Sequence, residues 1–311
     1  MRYRRIKLSI TERCNLNCVH CYMKEKSSKC MNIGRALKIL SEAKELGVEI
    51  VDLTGGEPSI HPNFFTIVEI ALSLGFKRLN ICTNGYALDI NMFRKLDLTT
   101  IHCYISVDGV SKEVVQQIRG NDIGKLVKLF RELKQIKMKF SLRFCINSYN
   151  WMEIAEMLIF VSELRVNAAF EPTQVVGNAG DDIVLSREQA LYVANVINGF
   201  PKTDITIEES FTTSFPCDGG QPDLLSIDTD GIGTVCLMMG ANKQAVPENI
   251  ELKEMWDILQ RHKERMKNFC PANMRCNKCS HYSLCLSGCH VTAYTQKCFN
   301  PWKEEDHNVN Q

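Results

Sequence analysis

Three cysteines near the amino terminus are spaced like the ligands of a metal cluster. Cys14, Cys18 and Cys21 have the spacing C-x3-C-x2-C, directly after a strand-like run that ends at Thr11. Three thiolates on one short loop can hold three irons of a four-iron cluster and leave the fourth open. An open metal position can bind a small molecule. A zinc loop is the alternative, but structural zinc takes four ligands and Cys30 is an awkwardly spaced fourth. The spacing favours iron and sulfur.

A second group of cysteines lies in the C-terminal third, in a chain of 311 residues with 15 cysteines. Its members are Cys217, Cys236, Cys270, Cys276, Cys279, Cys285, Cys289 and Cys298. The basic amino terminus has no apolar segment behind it, so we expect no secretory signal and a reducing, cytoplasmic location. Closely spaced thiols in such a compartment usually bind metal. A C-x2-C zinc pair remains the alternative for this region.

The overall composition is that of a globular protein. The chain is 45% hydrophobic and 23% charged, and its formal net charge is +1. A charge this close to zero gives no reason to expect a nucleic-acid or anionic-membrane partner. The sequence also has no apolar run of 18 residues, so we expect no transmembrane helix.

The elements that must position these cysteines alternate between strand and helix. Strand-like runs are predicted at 6–11, 49–54, 78–83, 100–107, 139–147 and 168–176, and helix-like segments at 33–46, 62–75, 90–96, 122–137, 150–163 and 186–200. This alternation predicts a parallel α/β sheet with its chemistry at the carboxyl ends of the strands. Six units are too few for a closed barrel of eight, so we expect an open, partial barrel.

The pattern changes after about residue 205, where we predict a domain boundary. Two short runs, 224–228 and 232–236, flank a Thr-Asp-Gly turn and predict a hairpin. A helix is predicted at 249–268, before the dense cysteine segment. The predicted domains are therefore 1–205 and 206–311.

The first part of the chain resembles the radical S-adenosylmethionine (SAM) superfamily, whose signature is a C-x3-C-x2-C loop after the first strand of a partial (β/α)6 barrel. The run Gly55-Gly56-Glu57-Pro58 follows the second strand and resembles the family element that binds the amino group of SAM. Thr83-Asn84 and Ser106-Val107-Asp108 resemble the family's SAM-contacting strand ends. Arg119, in Ile118-Arg119-Gly120, resembles an element of the peptide-modifying branch and is expected to open the next helix. The segment 176–180 lies where the family's late glycine-containing motif falls.

The resemblance implies one-electron chemistry. Cys14, Cys18 and Cys21 would hold a [4Fe–4S] cluster that cleaves bound SAM reductively, and the resulting 5′-deoxyadenosyl radical would take a hydrogen atom from substrate. The expected electron donor is a flavodoxin or a ferredoxin. The residues of the motifs above are accordingly the predicted cofactor-binding residues: Gly55, Gly56, Glu57, Pro58, Thr83, Asn84, Ser106, Asp108 and Arg119.

The C-terminal part resembles the SPASM domain, a small cysteine-rich α+β unit that carries two auxiliary [4Fe–4S] clusters. The resemblance implies one cluster on Cys276, Cys279, Cys285 and Cys298, and another on Cys217, Cys236 and Cys289. Cys270 is an additional thiol. It either completes the second cluster, or leaves that cluster an open iron for a substrate thiolate.

The combination of the two domains implies modification of a peptide or protein, and a maturase of ribosomal peptides that forms thioether or carbon–carbon crosslinks is the first expectation. Many peptide maturases carry an amino-terminal module that binds a leader peptide, but only about a dozen residues precede Cys14. Leader binding, where needed, would then require a separate leader-peptide-binding protein or contacts on this chain's own surface. The alternatives are a small-molecule or tetrapyrrole-modifying enzyme, a formylglycine-forming sulfatase maturase and a non-catalytic iron–sulfur or zinc scaffold. Leu237 argues against the sulfatase maturase, because that group has an acidic residue directly after the hairpin cysteine.

Overall fold

The computed structural model describes residues 3–201, 204–209, 221, 223–238 and 250–268. Seven of the eight C-terminal cysteines predicted as cluster ligands lie outside these residues: Cys217, Cys270, Cys276, Cys279, Cys285, Cys289 and Cys298. The eighth, Cys236, is described and is buried. Within the described ranges, no helix is both long enough and apolar enough to cross a membrane.

The described residues form one sheet of nine strands. These are β1 (Arg5–Ser9), β2 (Ile50–Thr54), β3 (Arg78–Thr83), β4 (Ile101–Ser106), β5 (Lys139–Ile146), β6 (Ala168–Pro172), β7 (Ile207–Glu209), β8 (Leu224–Ile227) and β9 (Gly233–Thr234). Their order is β7-β6-β5-β4-β3-β2-β1-β8-β9, and every neighbouring pair is parallel except β8–β9. The predicted parallel α/β sheet is confirmed.

Helices follow most of the strands. They are α1 (Ile33–Glu45), α2 (Phe64–Ser73), α3 (Ile90–Phe93), α4 (Lys112–Arg119), α5 (Ile123–Gln135), α6 (Ile154–Leu164), α7 (Arg187–Gly199) and α8 (Leu252–Asn268). Side chains of Asn32, Ser111 and Asp122 cap the first turns of α1, α4 and α5, because each accepts a hydrogen bond from a backbone N–H of its helix.

Helix α4 corrects one prediction. Arg119 does not open the helix after β4 but ends α4, and Gly120 follows it in the left-handed conformation, φ 67°. A glycine in this conformation just after a helix is a common stop. Arg119 therefore lies at the carboxyl end of a short helix, and its side chain reaches the Cys18 sulfur of the cysteine loop.

The two faces of the sheet differ because successive side chains of a strand alternate in direction. One face carries buried apolar residues, such as Ile6 and Leu79, which belong to the hydrophobic core. The other carries rows of polar residues and is called the polar face below. One of its rows, in register across four strands, is Lys7, Asp52, Asn80 and His102.

The predicted hairpin is confirmed as β8 and β9, and it extends the same sheet. β8 pairs with β1 in parallel. The turn between β8 and β9 reaches α1 as well, where Arg35 Nη2 donates a hydrogen bond of 2.9 Å to the backbone oxygen of Gly231. Strands on both sides of residue 205 therefore share one sheet, while the domain boundary at that point stays a prediction.

Candidate functional site

The three-cysteine loop lies at the carboxyl end of β1. Cys18 is 8% exposed, whereas Cys14 and Cys21 are half-buried. None of the eight cysteines in the described part of the chain forms a disulfide. Burial raises the pKa of the Cys14 and Cys18 thiols, and a backbone hydrogen bond from Leu16 opposes this shift at Cys14.

Gly55 and Gly56 hold the segment that leads into this loop. The backbone N–H of Gly56 donates a hydrogen bond of 2.7 Å to the oxygen of Thr11, and the N–H of Glu57 donates one of 2.8 Å to the oxygen of Arg13. A β-carbon at Gly55 would lie 2.3 Å from the Thr11 oxygen, and one at Gly56 would lie 2.2 Å from the Arg13 oxygen. Only glycine permits this close approach of two backbones.

The far side of the loop is held by the segment after β6. The N–H of Asn178 donates to the oxygen of Cys21 (2.9 Å), and its side-chain amide donates to the oxygen of Cys18 (3.2 Å). A β-carbon on Gly177 would lie 2.3 Å from the Cys21 oxygen, and Gly177 has a φ of 67°. The segment 176–180 therefore contacts the loop backbone here, and its correspondence to the family's late glycine motif stays a prediction. Asn178 lies within that segment, but its role in holding the loop was not predicted.

Glu57 links the carboxyl ends of β2 and β3. It is fully buried, and its Oε1 accepts hydrogen bonds of 2.6 Å from both the Ser59 and the Thr83 hydroxyls. It also accepts from the Ser59 N–H (3.1 Å), while Oε2 accepts from the Asn84 N–H (2.6 Å). Burial raises the pKa of Glu57, and these hydrogen bonds oppose that shift. Both oxygens are engaged by the protein itself, so Glu57 shapes the strand ends that the motif brings together.

Two side-chain donors point at the cysteine sulfurs. Asn84 Nδ2 lies 3.8 Å from Cys14 Sγ, and Arg119 Nη1 lies 3.8 Å from Cys18 Sγ. Asn84 Nδ2 also donates to Asn15 Oδ1 at 2.8 Å, which fixes its orientation. Donors directed at sulfur stabilise the thiolate form that binds metal.

Asp108 forms a buried ion pair with Arg119 and lies beside His20, whose pKa is lowered by burial. Its carboxylate is fully buried, with Oδ2 lying 2.6 Å from Arg119 Nη2 and 3.2 Å from His20 Nε2. Its Oδ1 accepts a hydrogen bond of 2.8 Å from the N–H of Cys145. His20, Asp108 and Cys145 place possible ligand atoms within 4.8 Å of one another. The guanidinium of Arg119 already neutralises this carboxylate, which argues against a cation site there.

Ser106 and Pro58 complete the set of predicted cofactor-binding residues. Ser106 ends β4 on the polar face and is half-buried, and Pro58 starts the short helical turn after Glu57. The structure thus gathers the predicted residues at the carboxyl ends of β1 to β4, together with the end of α4. Their roles as ligands stay predictions.

Tyr22, the residue directly after Cys21, interacts with the segment after β2 and with the hairpin cysteine Cys236. The phenol of Tyr22 donates a long hydrogen bond of 3.4 Å to the oxygen of Gly55. Burial raises the pKa of Tyr22, and Cys21 and Cys236 add to this shift. Both thiols therefore lie close enough to Tyr22 to influence its phenol.

The residues present fit an iron–sulfur cluster with a polar ligand beside it. Three thiols on one loop are the soft ligands that such a cluster takes. The Arg119 Nε donor and the Nδ1 ring nitrogen of His20 are buried and have no hydrogen-bond partner among the described residues. Buried polar atoms are costly to leave unpaired, so a polar group beside them would stabilise the site.

Residues 8–161 match the profile of the Radical SAM superfamily. The chain is 29% identical over 180 residues to the GTP 3′,8-cyclase of Haemophilus influenzae strain PittEE, which covers 54% of this chain and 52% of the relative. It is 32% identical over 126 residues to the GTP 3′,8-cyclase of strain 86-028NP, which covers 38% of this chain and 37% of the relative. The chain spans about half the length of the curated relatives it matches.

Solved structures share the fold over most of the chain. Streptococcus suis SuiB bound to precursor peptide SuiA has a TM-score of 0.77 and 16% identity, covering 95% of this chain and 74% of that one. Native anSMEcpe with bound AdoMet has a TM-score of 0.74 and 16% identity, covering 96% of this chain and 94% of that one. At this identity, the likeness concerns the fold alone.

The fold and the site define an α/β protein with a three-cysteine loop at the carboxyl edge of a parallel sheet. The profile match names the family: residues 8–161 are a radical SAM superfamily domain. The first-strand loop, the Gly-Gly-Glu-Pro run and the polar strand ends all lie within it.

Proposed function

We propose that the protein is a radical SAM enzyme that cleaves SAM reductively and modifies a peptide or protein substrate. The observation that carries the proposal is the three-cysteine loop, fastened by backbone hydrogen bonds to the segments after β2 and β6. When bound, a reduced [4Fe–4S] cluster and SAM would supply a 5′-deoxyadenosyl radical that abstracts hydrogen.

The chain's own residues would position the reactants and exclude water. Gly55 and Gly56 let the β2 end lie directly against the cysteine loop. Asn84 and Arg119 direct N–H groups at two of the sulfurs. The apolar core behind the sheet closes one side of the site, while the polar face leaves a surface for a polar substrate. Such fixed positioning and water exclusion are what a protein contributes to cofactor chemistry.

A peptide substrate is our first candidate. SuiB, whose structure was determined with its precursor peptide SuiA, and anSMEcpe, determined with a peptide, share this fold. On the polar face, Arg143 forms a half-exposed ion pair of 2.7 Å with Glu171 and lies over the ring of Tyr104. A cation, a carboxylate and an aromatic ring side by side can bind the charged, polar and apolar groups that a peptide presents.

A nucleotide substrate is the second candidate. The curated relatives are GTP 3′,8-cyclases, and they match the chain at a higher identity than the peptide-binding structures do. Lys7 and Arg143 both lie on the polar face, and cationic side chains of this kind bind phosphate groups.

Auxiliary clusters on the C-terminal cysteines, with Cys236 as one ligand, belong to the same proposal. They would accept the electron that remains after a substrate radical closes its bond, or bind the peptide itself. A flavodoxin or ferredoxin would reduce the first cluster, and a separate leader-binding protein would present the peptide.

The test starts with SAM cleavage. Anaerobically reconstituted protein with dithionite and SAM is expected to form 5′-deoxyadenosine, and a Cys14→Ala/Cys18→Ala/Cys21→Ala variant is expected to form none. Equal formation by both proteins would show that SAM is cleaved elsewhere. Parallel reactions with GTP and with a short cysteine-containing precursor encoded beside the gene then separate the substrates. A mass change in the peptide supports the maturase, whereas conversion of GTP supports the second candidate.

A further inference from the structure

The guanidinium of Arg119 lies between a buried carboxylate and a cysteine sulfur. Its Nη2 is 2.6 Å from Asp108 Oδ2, and its Nη1 is 3.8 Å from Cys18 Sγ. The three groups come from different places in the fold, namely the end of α4, the segment after β4 and the loop after β1. One cationic side chain thus connects a carboxylate to a predicted cluster ligand.

All three groups are buried. Arg119 is 6% exposed, Asp108 0% and Cys18 8%. Charges in such surroundings interact more strongly than charges in water, because little solvent screens them. A buried ion pair is also a weak source of stability, since desolvation offsets much of the attraction. We therefore expect the Arg119–Asp108 pair to influence the charge state at the Cys18 sulfur more than the stability of the fold.

Several contacts fix the guanidinium in place. The N–H of Val19, next to Cys18, donates a hydrogen bond of 3.0 Å to the oxygen of Ile118, which fastens the end of α4 to the cysteine loop. Asp108 is itself fixed by the Cys145 N–H, and its backbone oxygen accepts a hydrogen bond of 2.9 Å from the side-chain amide of Asn150.

We propose that Arg119 is a positioning residue that sets the reduction potential of the iron–sulfur cluster on the cysteine loop, with Asp108 acting in the opposite direction. The proposal rests on the proposed function, because it requires a cluster at Cys18. Reduction adds negative charge, and a cation that donates an N–H to a ligand sulfur stabilises the reduced state. Net charge and hydrogen bonds to sulfur are established determinants of cluster potentials. The carboxylate of Asp108 disfavours the added electron.

The experiment is a redox titration of the full-length, anaerobically reconstituted enzyme without SAM. Electron paramagnetic resonance monitors the reduced cluster at each potential. The signal of interest is the one that the Cys14→Ala/Cys18→Ala/Cys21→Ala variant lacks. For Arg119→Gln, we expect the ratio of reduced to oxidised cluster at a fixed potential to fall about tenfold. For a one-electron couple, this change corresponds to a midpoint potential about 59 mV lower. Asp108→Asn should raise the ratio, while Arg119→Lys, which keeps the charge, should stay between wild type and Arg119→Gln.

Opposite shifts in Arg119→Gln and Asp108→Asn support the inference, because general damage to the loop would not change sign with the charge removed. Unchanged midpoints in both variants, or shifts of the same sign, overturn it. If Arg119→Gln does not assemble a cluster, the directions seen in Arg119→Lys and Asp108→Asn decide the question by the same criterion. A wild-type enzyme without any signal that depends on the three cysteines would instead defeat the proposed function.

Discussion

The carboxylate of Glu57 accepts a hydrogen bond of 2.6 Å from the backbone N–H of Asn84, and this contact joins the carboxyl ends of β2 and β3. The other oxygen accepts from the backbone N–H of Ser59. Each oxygen therefore faces a backbone donor, and an amide group cannot replace the carboxylate without directing its own N–H₂ at one of them.

Glu57→Gln is expected to weaken SAM binding while the C-terminal clusters keep their iron. The substitution removes a charge-assisted hydrogen bond between the ends of β2 and β3, which costs about 1.5–3 kcal/mol. Only the part of this cost that displaces the SAM-facing strand ends appears in binding, so the loss of affinity has an upper limit of roughly 10- to 150-fold. Equilibrium binding of SAM to the reconstituted enzyme measures the effect. Ser59→Ala removes one of the hydroxyls that donate to Oε1 and leaves the charge. A positioning role predicts a smaller loss in this variant, and an unchanged affinity in both variants would contradict it.

Gly177→Ala is expected to displace the cysteine loop, because the new β-carbon would lie 2.3 Å from the Cys21 oxygen. The predicted result is loss of about four irons per chain together with loss of 5′-deoxyadenosine formation. Iron analysis after anaerobic reconstitution measures the first and chromatography the second.

Gly47→Ala is the matched control for this substitution. Gly47 also has a positive φ, 78°, but a β-carbon there would meet nothing within 4 Å. Both variants carry the backbone strain of a left-handed alanine, so only the steric contact with the loop differs. Equal iron loss in the two variants would assign the effect to strain.

The strands and the cysteine loop were predictable because their signals are local. Apolar, β-branched runs between helical segments gave the bounds of β3 without error, and fixed cysteine spacing gave the loop. Helix α4 was not predicted, because it is short and strongly polar on its outer face. The signals of its ends, Ser111 before it and Gly120 after it, were nevertheless in the sequence.

The contacts of the site were less predictable because they join residues far apart in the chain. The resemblance implied that Glu57 helps bind the amino group of SAM, which stays a prediction, but gave no sign that Thr83 and Asn84 engage its oxygens across the sheet. His20 lies within the cysteine loop, but its approach to Asp108 depends on the path of β4 and was not predicted. Periodicity and spacing carry no information about such pairings.

His102 gives the protein a predicted pH dependence. Burial, followed by the positive charges of Arg78, Lys139 and Arg143, lowers the pKa of His102 to about 4 from an ordinary 6.5. The unfolded chain therefore takes up a proton below pH 6.5 that the folded chain does not, so stability falls as the pH decreases. Between pH 6.5 and pH 5 the expected loss is roughly 1 kcal/mol, because solvent screens part of the effect at this half-buried side chain.

Thermal unfolding at pH 7 and pH 5 checks this expectation. His102→Asn should flatten the decline in stability between the two values. Ser141→Ala removes the hydroxyl that lies 2.8 Å from His102 Nε2 but keeps the imidazole, so it should keep the decline. A decline of equal size in the wild type and in His102→Asn would assign the acid sensitivity to other groups.

Two carboxylates on the polar face should differ in their importance for folding. Asp52 is fully buried and accepts hydrogen bonds from Arg5 Nε (2.7 Å) and Asn80 Nδ2 (2.6 Å), whereas Glu171 is 37% exposed and pairs with Arg143 at 2.7 Å. Asp52→Asn is expected to lower the free energy of unfolding by about 2 kcal/mol, because it removes a buried charge with two partners. Glu171→Gln should cost less than about 1 kcal/mol, since water screens the exposed pair. Urea unfolding of both variants measures the difference, and a larger loss in Glu171→Gln would mean that the exposed pair, rather than the buried one, stabilises this face of the sheet.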